Sequence, residues 1–168
     1  MFILKPLSFT TLAVLFALIF IGGYVGASGV GLTCPEWPLC PRGLLPHEDF
    51  VIEYIHRSVA ATTGMLVIAT MAFTLKSKDA SRGMKIASII AAGAVIGQIT
   101  LGAIVIVERL HAVLVTAHLG LGLVLFSMVL IIVLSAFRID NDNKRRMKTR
   151  EASSKLSTQN NKTTTTRS

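Results

Sequence analysis

The chain has 168 residues, 52% hydrophobic and 15% charged, with 17 Lys and Arg against 9 Asp and Glu. A soluble domain usually carries about 25% charged residues, and the mean hydropathy here is +0.63. These figures exclude a soluble globular domain, a disordered chain and a disulfide-stapled secreted mini-protein, and the hydrophilic stretch after Arg138 is short for a soluble catalytic domain.

Four stretches carry no charge: 6–35, 58–75, 86–107 and 110–137. A helix needs about 20 apolar residues to cross a bilayer. Four spans are expected, at about 7–25, 48–75, 85–107 and 110–137, within a membrane domain of residues 1–138. Span one ends on Gly22-x-x-x-Gly26, a spacing that lets helices approach closely. Lys5 followed by this apolar run also resembles a cleaved signal peptide, but the run exceeds an h-region of about 7–15 residues, so a retained span is expected.

A Gly- and Pro-rich loop follows, holding Cys34, Trp37 and Cys40. The two cysteines are either a structural disulfide or a redox-active pair, since an outward compartment permits both. Trp37 suits a membrane interface. No four-ligand set accompanies the cysteines, so a separate metal ion is not expected.

Span two brings Glu53, His56 and Arg57 to membrane depth. Glu53 and His56 share a helix face, and Glu53 and Arg57 are spaced for an ion pair. Span three contains Gly93-x-x-x-Gly97 and Gln98, with Thr100 beside it; the polar amide is expected to bridge helices by hydrogen bonding. The Glu108-Arg109 connection is so short that spans three and four must be antiparallel neighbours. Span four carries His118. His56 and His118 each lie about eight residues below the expected outer start of their spans, or about 12 Å at helical rise. Two imidazoles at matched depth either ligate one haem iron from both sides or pack as hydrogen-bonded core histidines. Ala60, Gly64 and Gly122 are candidate gaps for a flat macrocycle. Glu53 is then placed to take a proton or stabilise positive charge, and Arg57 to meet a haem propionate. His47 and His111 are expected at the outer surface.

Lys5, the segment between spans two and three and the tail together carry 14 basic residues, whereas the other side has Arg42, Arg57 and Arg109. The positive-inside rule then makes both termini cytoplasmic. The expected fold is an all-α integral membrane bundle of four helices running up-down-up-down. A disordered basic tail is expected over 139–168, near anionic lipid rather than nucleic acid. The Asn161 glycosylation pattern is discounted on that side.

Several motifs combine in order: Gly22-Gly23, Ser28 to Cys40 with Cys34-Pro-Glu-Trp-Pro-Leu-Cys40, Glu53-Tyr-Ile-His-Arg57, Gln98-Ile-Thr-Leu-Gly102 and Ala117-His118-Leu119. Over about residues 15–130 this order resembles the haem A synthase family. The resemblance implies oxidation of the C8 methyl of haem O to a formyl group, giving haem A for terminal oxidases. It also implies His56 and His118 as haem iron ligands, Glu53 as the catalytic carboxylate and Cys34 and Cys40 as the outward cysteine pair. Haem O is the implied substrate, with haem B as a further occupant.

Typical members have eight spans in two halves, and this chain resembles the half-length, archaeal type in a plasma membrane. It lacks the basic residue often found near Gly26 or Ala27. Self-association, coupling to a haem O synthase and a terminal oxidase, and an electron acceptor are the implied partners. The competing expectations are a bis-histidine electron-transfer cytochrome, a thiol-disulfide membrane oxidoreductase and a non-enzymatic oxidase assembly factor.

Overall fold

The computed structural model describes residues 3–33 and 51–165. The loop that holds Cys34, Trp37, Cys40, Arg42 and His47, and the expected start of span two, lie outside the described residues. Among the described residues four α-helices form, each with a segment long and apolar enough to cross a membrane: α1 Leu4–Ser28, α2 Val51–Lys76, α3 Arg82–Val107 and α4 Ala112–Thr165. The multi-pass membrane bundle expected from hydropathy is therefore the observed fold.

The boundaries follow local chemistry. Pro6 is accommodated in the first turn of α1, where its missing N–H costs nothing. Gly29 ends α1 at φ 75°, a left-handed cap open to glycine. A single 3-10 turn, Val30–Leu32, follows and is capped by Thr33. Ser81 caps α3 by accepting from the Met84 N–H at 3.2 Å. The α3–α4 turn is so tight that Arg109 and Leu110 adopt φ 49° and 62°. Left-handed geometry at two non-glycine residues is held by Leu110 N–H donating to Val105 O at 2.8 Å and by His111 O capping the next helix.

Each helix packs against its chain neighbours, and α4 closes the ring against α1. α2 and α4 thus face each other across the bundle. The apolar core occupies one half of its length. Leu15, Val67, Met84, Ala91, Val95, Leu125, Val129, Ile132 and Ala136 meet there, drawn from helical spacings on all four helices. Small residues dominate the α3 face, with Ala87, Ser88, Ala91, Ala92 and Ala94 all buried, so backbones approach closely. Buried hydroxyls are satisfied: Thr63 and Thr74 bond the carbonyls one turn back, and Thr11 and Thr70 join α1 to α2 at 3.0 Å. Lys5 and Asp140 tie α1 to α4 at 2.9 Å at the basic end. The positive-inside rule makes this end cytoplasmic.

The opposite, outer half is looser. From Ala112 to Leu121, α4 has no buried residue. The tail also departs from expectation: α4 runs unbroken through Thr165. No Gly or Pro follows Gly122, and the tail carries several Lys and Arg, which are compatible with helix. Lys144 pairs with Asp140 at 3.0 Å, one turn apart, adding local support.

Thr70→Val removes the hydroxyl that meets Thr11 and should destabilise the bundle by about 1 kcal/mol in a detergent unfolding titration. The exposed Thr62→Val, whose hydroxyl bonds only its own helix at Ser58 O, should change stability by at most a few tenths.

Candidate functional site

The outer half carries a polar layer. His118 lies six residues inside the outer end of α4, and His56 lies five residues after Val51, the first described residue of α2. Gly22 on α1 and Gly102 on α3 occupy the same depth from their own outer ends. The up-down-up-down arrangement brings the four positions into one cross-section.

Each imidazole packs against a glycine of a neighbouring helix. A Cβ on Gly22 would stand 2.9 Å from His56 Cε1, and one on Gly102 would stand 3.3 Å from His118 Cε1. Any larger residue there would move the rings. The gaps expected beside the histidines have other neighbours: Gly64 faces Ile99 and Val95, and Gly122 faces Gln98. Helical spacing gave the depth of these glycines but not their direction around the axis. Gly22 was visible as a close-packing motif, and Gly102 carried no signal of its own beyond the family resemblance.

Nδ1 of His56 and of His118 are both buried with no hydrogen-bond partner among the described residues. Polar atoms at membrane depth are costly unless satisfied. A pair of imidazoles with unmet nitrogen capacity on two facing helices is the donor set that a haem iron takes. Among the described residues, no group of three or more His, Cys, Asp or Glu gathers around a point, so the donors here are two imidazoles.

Glu53 is 3% exposed and lies one turn outward of His56. Arg57 Nη2 donates to Glu53 Oε1 at 2.6 Å, the ion pair expected from the spacing. Thr33, at the end of the 3-10 turn, donates to Glu53 Oε2 at 3.2 Å. No spacing rule pointed to Thr33, which lies 20 residues away in sequence. Glu53 is thus held on both oxygens beside the histidine layer, a placement suited to handling protons or developing positive charge.

Gln98 bridges helices as expected, with Nε2 donating to His118 O at 2.9 Å. Its Oε1 is buried and has no partner among the described residues. The bridge exists because Gly122 has no side chain: a Cβ there would stand 2.8 Å from Gln98 Nε2. Thr100 is exposed and donates to Ile96 O of its own helix, because it lies on the other face of α3 from Gln98. His111 is exposed in the α3–α4 turn, as expected.

With this geometry in place, similarity to known proteins is informative. The profile of the COX15-CtaA family, described as cytochrome oxidase assembly protein, matches residues 46–159. A haem A synthase of Bacillus licheniformis is 35% identical over 138 residues, covering 80% of this chain and 45% of that protein. A haem A synthase of an Exiguobacterium species is 31% identical over 140 residues, covering 81% and 46%. One from Geobacillus kaustophilus is 31% identical over 137 residues, covering 79% and 43%. The chain spans about half the length of these relatives.

Gly22→Ala should displace His56 and lower the haem content of the purified protein at least about fivefold, although alanine favours the helix itself. Gly26→Ala, with nothing among the described residues within 4 Å of the added atom, should leave haem content unchanged. Absorbance of the haem against protein concentration reads both.

Proposed function

The chain belongs to the COX15-CtaA family of cytochrome oxidase assembly proteins, and from that premise we propose that it is a haem A synthase, oxidising the C8 methyl of haem O to a formyl group. The observation that carries this reading is the buried, doubly held Glu53 one turn from His56, within a layer that also contains His118. An electron-transfer cytochrome needs the two histidines but has no use for a carboxylate held at that depth.

Converting a methyl group to an aldehyde consumes one water and releases four protons and four electrons, in two two-electron stages through an alcohol. His56 and His118 hold and orient the haem between α2 and α4. The haem supplies the redox-active iron beside the methyl group. Glu53 accepts protons or stabilises positive charge at the methyl carbon, and Arg57 keeps the carboxylate oriented. The low-dielectric surroundings strengthen this electrostatic contribution. Cys34 and Cys40 would either hold the outward loop closed or relay electrons to an acceptor. The bilayer, further copies of this chain, a haem O synthase and a terminal oxidase are the partners this reading calls for.

Co-expression with a haem O synthase, followed by haem extraction and mass analysis, tests the proposal. The intact chain should yield hydroxylated haem and haem A. Glu53→Gln should retain bound haem while lowering conversion about 100-fold or more. Bound haem with no oxidised product from the intact chain identifies the electron-transfer alternative instead.

A further inference from the structure

We infer that Gln98 recognises the alcohol of haem O: its buried Oε1 accepts a hydrogen bond from the hydroxyl on the carbon that joins the isoprenoid chain to the macrocycle. The inference rests on the reading of haem O as the substrate, held by His56 and His118.

The Gln98 amide has one end committed and one end open. Nε2 donates to His118 O at 2.9 Å. A backbone carbonyl only accepts, so the NH2 end must face α4, and the oxygen is turned away from that carbonyl. Oε1 is buried and has no hydrogen-bond partner among the described residues. The imidazole of His118 does not serve it, because His118 Nδ1 is itself buried without a partner among them. A buried amide oxygen with no donor is costly, and lipid supplies none. The amide is also fixed in place. A Cβ on Gly122 would stand 2.8 Å from Nε2, so the NH2 end is seated directly against the backbone of α4. The open acceptor therefore has one direction, set before any ligand arrives.

The position matches a particular part of the substrate. Gln98 is four residues from Gly102, so the two share a face of α3 with Gln98 one turn further in. Gly102 backs the ring of His118, with a Cβ there 3.3 Å from Cε1. Ligation from α2 and α4 stands the macrocycle on edge between these helices, with one edge toward the outer surface and one toward the inner half. The ionised propionates take the outer edge, close to water. Ring position C2, which carries the alcohol and the isoprenoid chain in haem O, lies across the macrocycle from the propionates and so points inward. Just beyond Gln98 the bundle closes, with Val67, Ala94, Val95 and Leu125 all buried. The inner edge of the macrocycle thus stops at the level of Gln98, and the chain leaves sideways into lipid. Haem B has a vinyl group at C2 and no proton to donate, so the same contact separates substrate from precursor. It also fixes the rotation of the macrocycle in its own plane, which decides which methyl group lies on the Glu53 side.

The full-length chain, purified from a haem-depleted host, is titrated with haem O and with its O-methyl ether, which keeps the shape but loses the donor. Soret absorbance reads both affinities. The parent should bind haem O about tenfold more tightly than the ether. Gln98→Met removes the acceptor, and its preference should fall to within about twofold; using the ratio cancels any effect of the lost bond to His118. Equal affinities in the parent, or a tenfold preference that persists in Gln98→Met, overturns the inference. If Gln98→Met binds neither ligand, Gln98→Glu takes its place: in the acid form it donates to His118 O and keeps an acceptor oxygen, so a retained preference supports the inference and a lost one overturns it. The synthase reading is tested separately. A parent that prefers haem O yet converts none keeps the alcohol contact and loses the synthase reading, whereas conversion without preference does the reverse.

Discussion

A polar side chain at membrane depth must find a partner, because lipid offers none. That constraint organises this bundle. Where hydroxyls are buried in the inner half, each bonds a carbonyl one turn back or a second hydroxyl, and the core around them is dry and built from small residues. In the outer half the constraint is met differently. Glu53 is paired with Arg57 and Thr33. His56 and His118 keep a buried nitrogen with no partner among the described residues. The contrast between the two halves is what supports reading the outer half as the binding region: its buried imidazole nitrogens lack partners among the described residues, whereas the hydroxyls of the inner half have theirs.

Tight packing and binding are linked through α3. Its small-residue face lets α4 come close over the inner half. Two turns before its outer end, Gln98 then crosses to the carbonyl of His118 through the space left by Gly122. The depth of His118 is thus set by an inter-helix bond rather than by the α3–α4 turn alone. On the other side, α1 brings Gly22 against His56. Each imidazole is oriented by a helix other than its own, so the site depends on the whole bundle being assembled.

Much of this was legible in the sequence, and the limits have physical causes. Hydropathy and charge located all four spans, because apolar length and basic punctuation are set by the bilayer itself. The i,i+4 rule gave Glu53–Arg57, and polarity at depth gave Gln98 as a bridge. Helical rise gave the matched depth of His56 and His118. Rotation about the helix axis was less accessible. Gly64 and Gly122 were expected beside the imidazoles, while Gly22 and Gly102 are found there, since a glycine has no side chain to mark which neighbour it faces. Thr100 faces outward because two residues of helix carry it to the other face of α3 from Gln98. Thr33 reaches Glu53 only through the fold of the turn after α1, which no local period encodes. The helical tail continues α4 without a Gly or Pro to stop it, with Lys144 pairing one turn away from Asp140, whereas polar composition alone reads as disorder.

The proposed ligation of one haem by both His56 and His118 is open to low-temperature electron paramagnetic resonance of the oxidised, purified protein. Joint ligation gives a low-spin bis-imidazole signal that is lost or converted to high spin in both His56→Ala and His118→Ala. A parent signal that survives either substitution unchanged would rule joint ligation out.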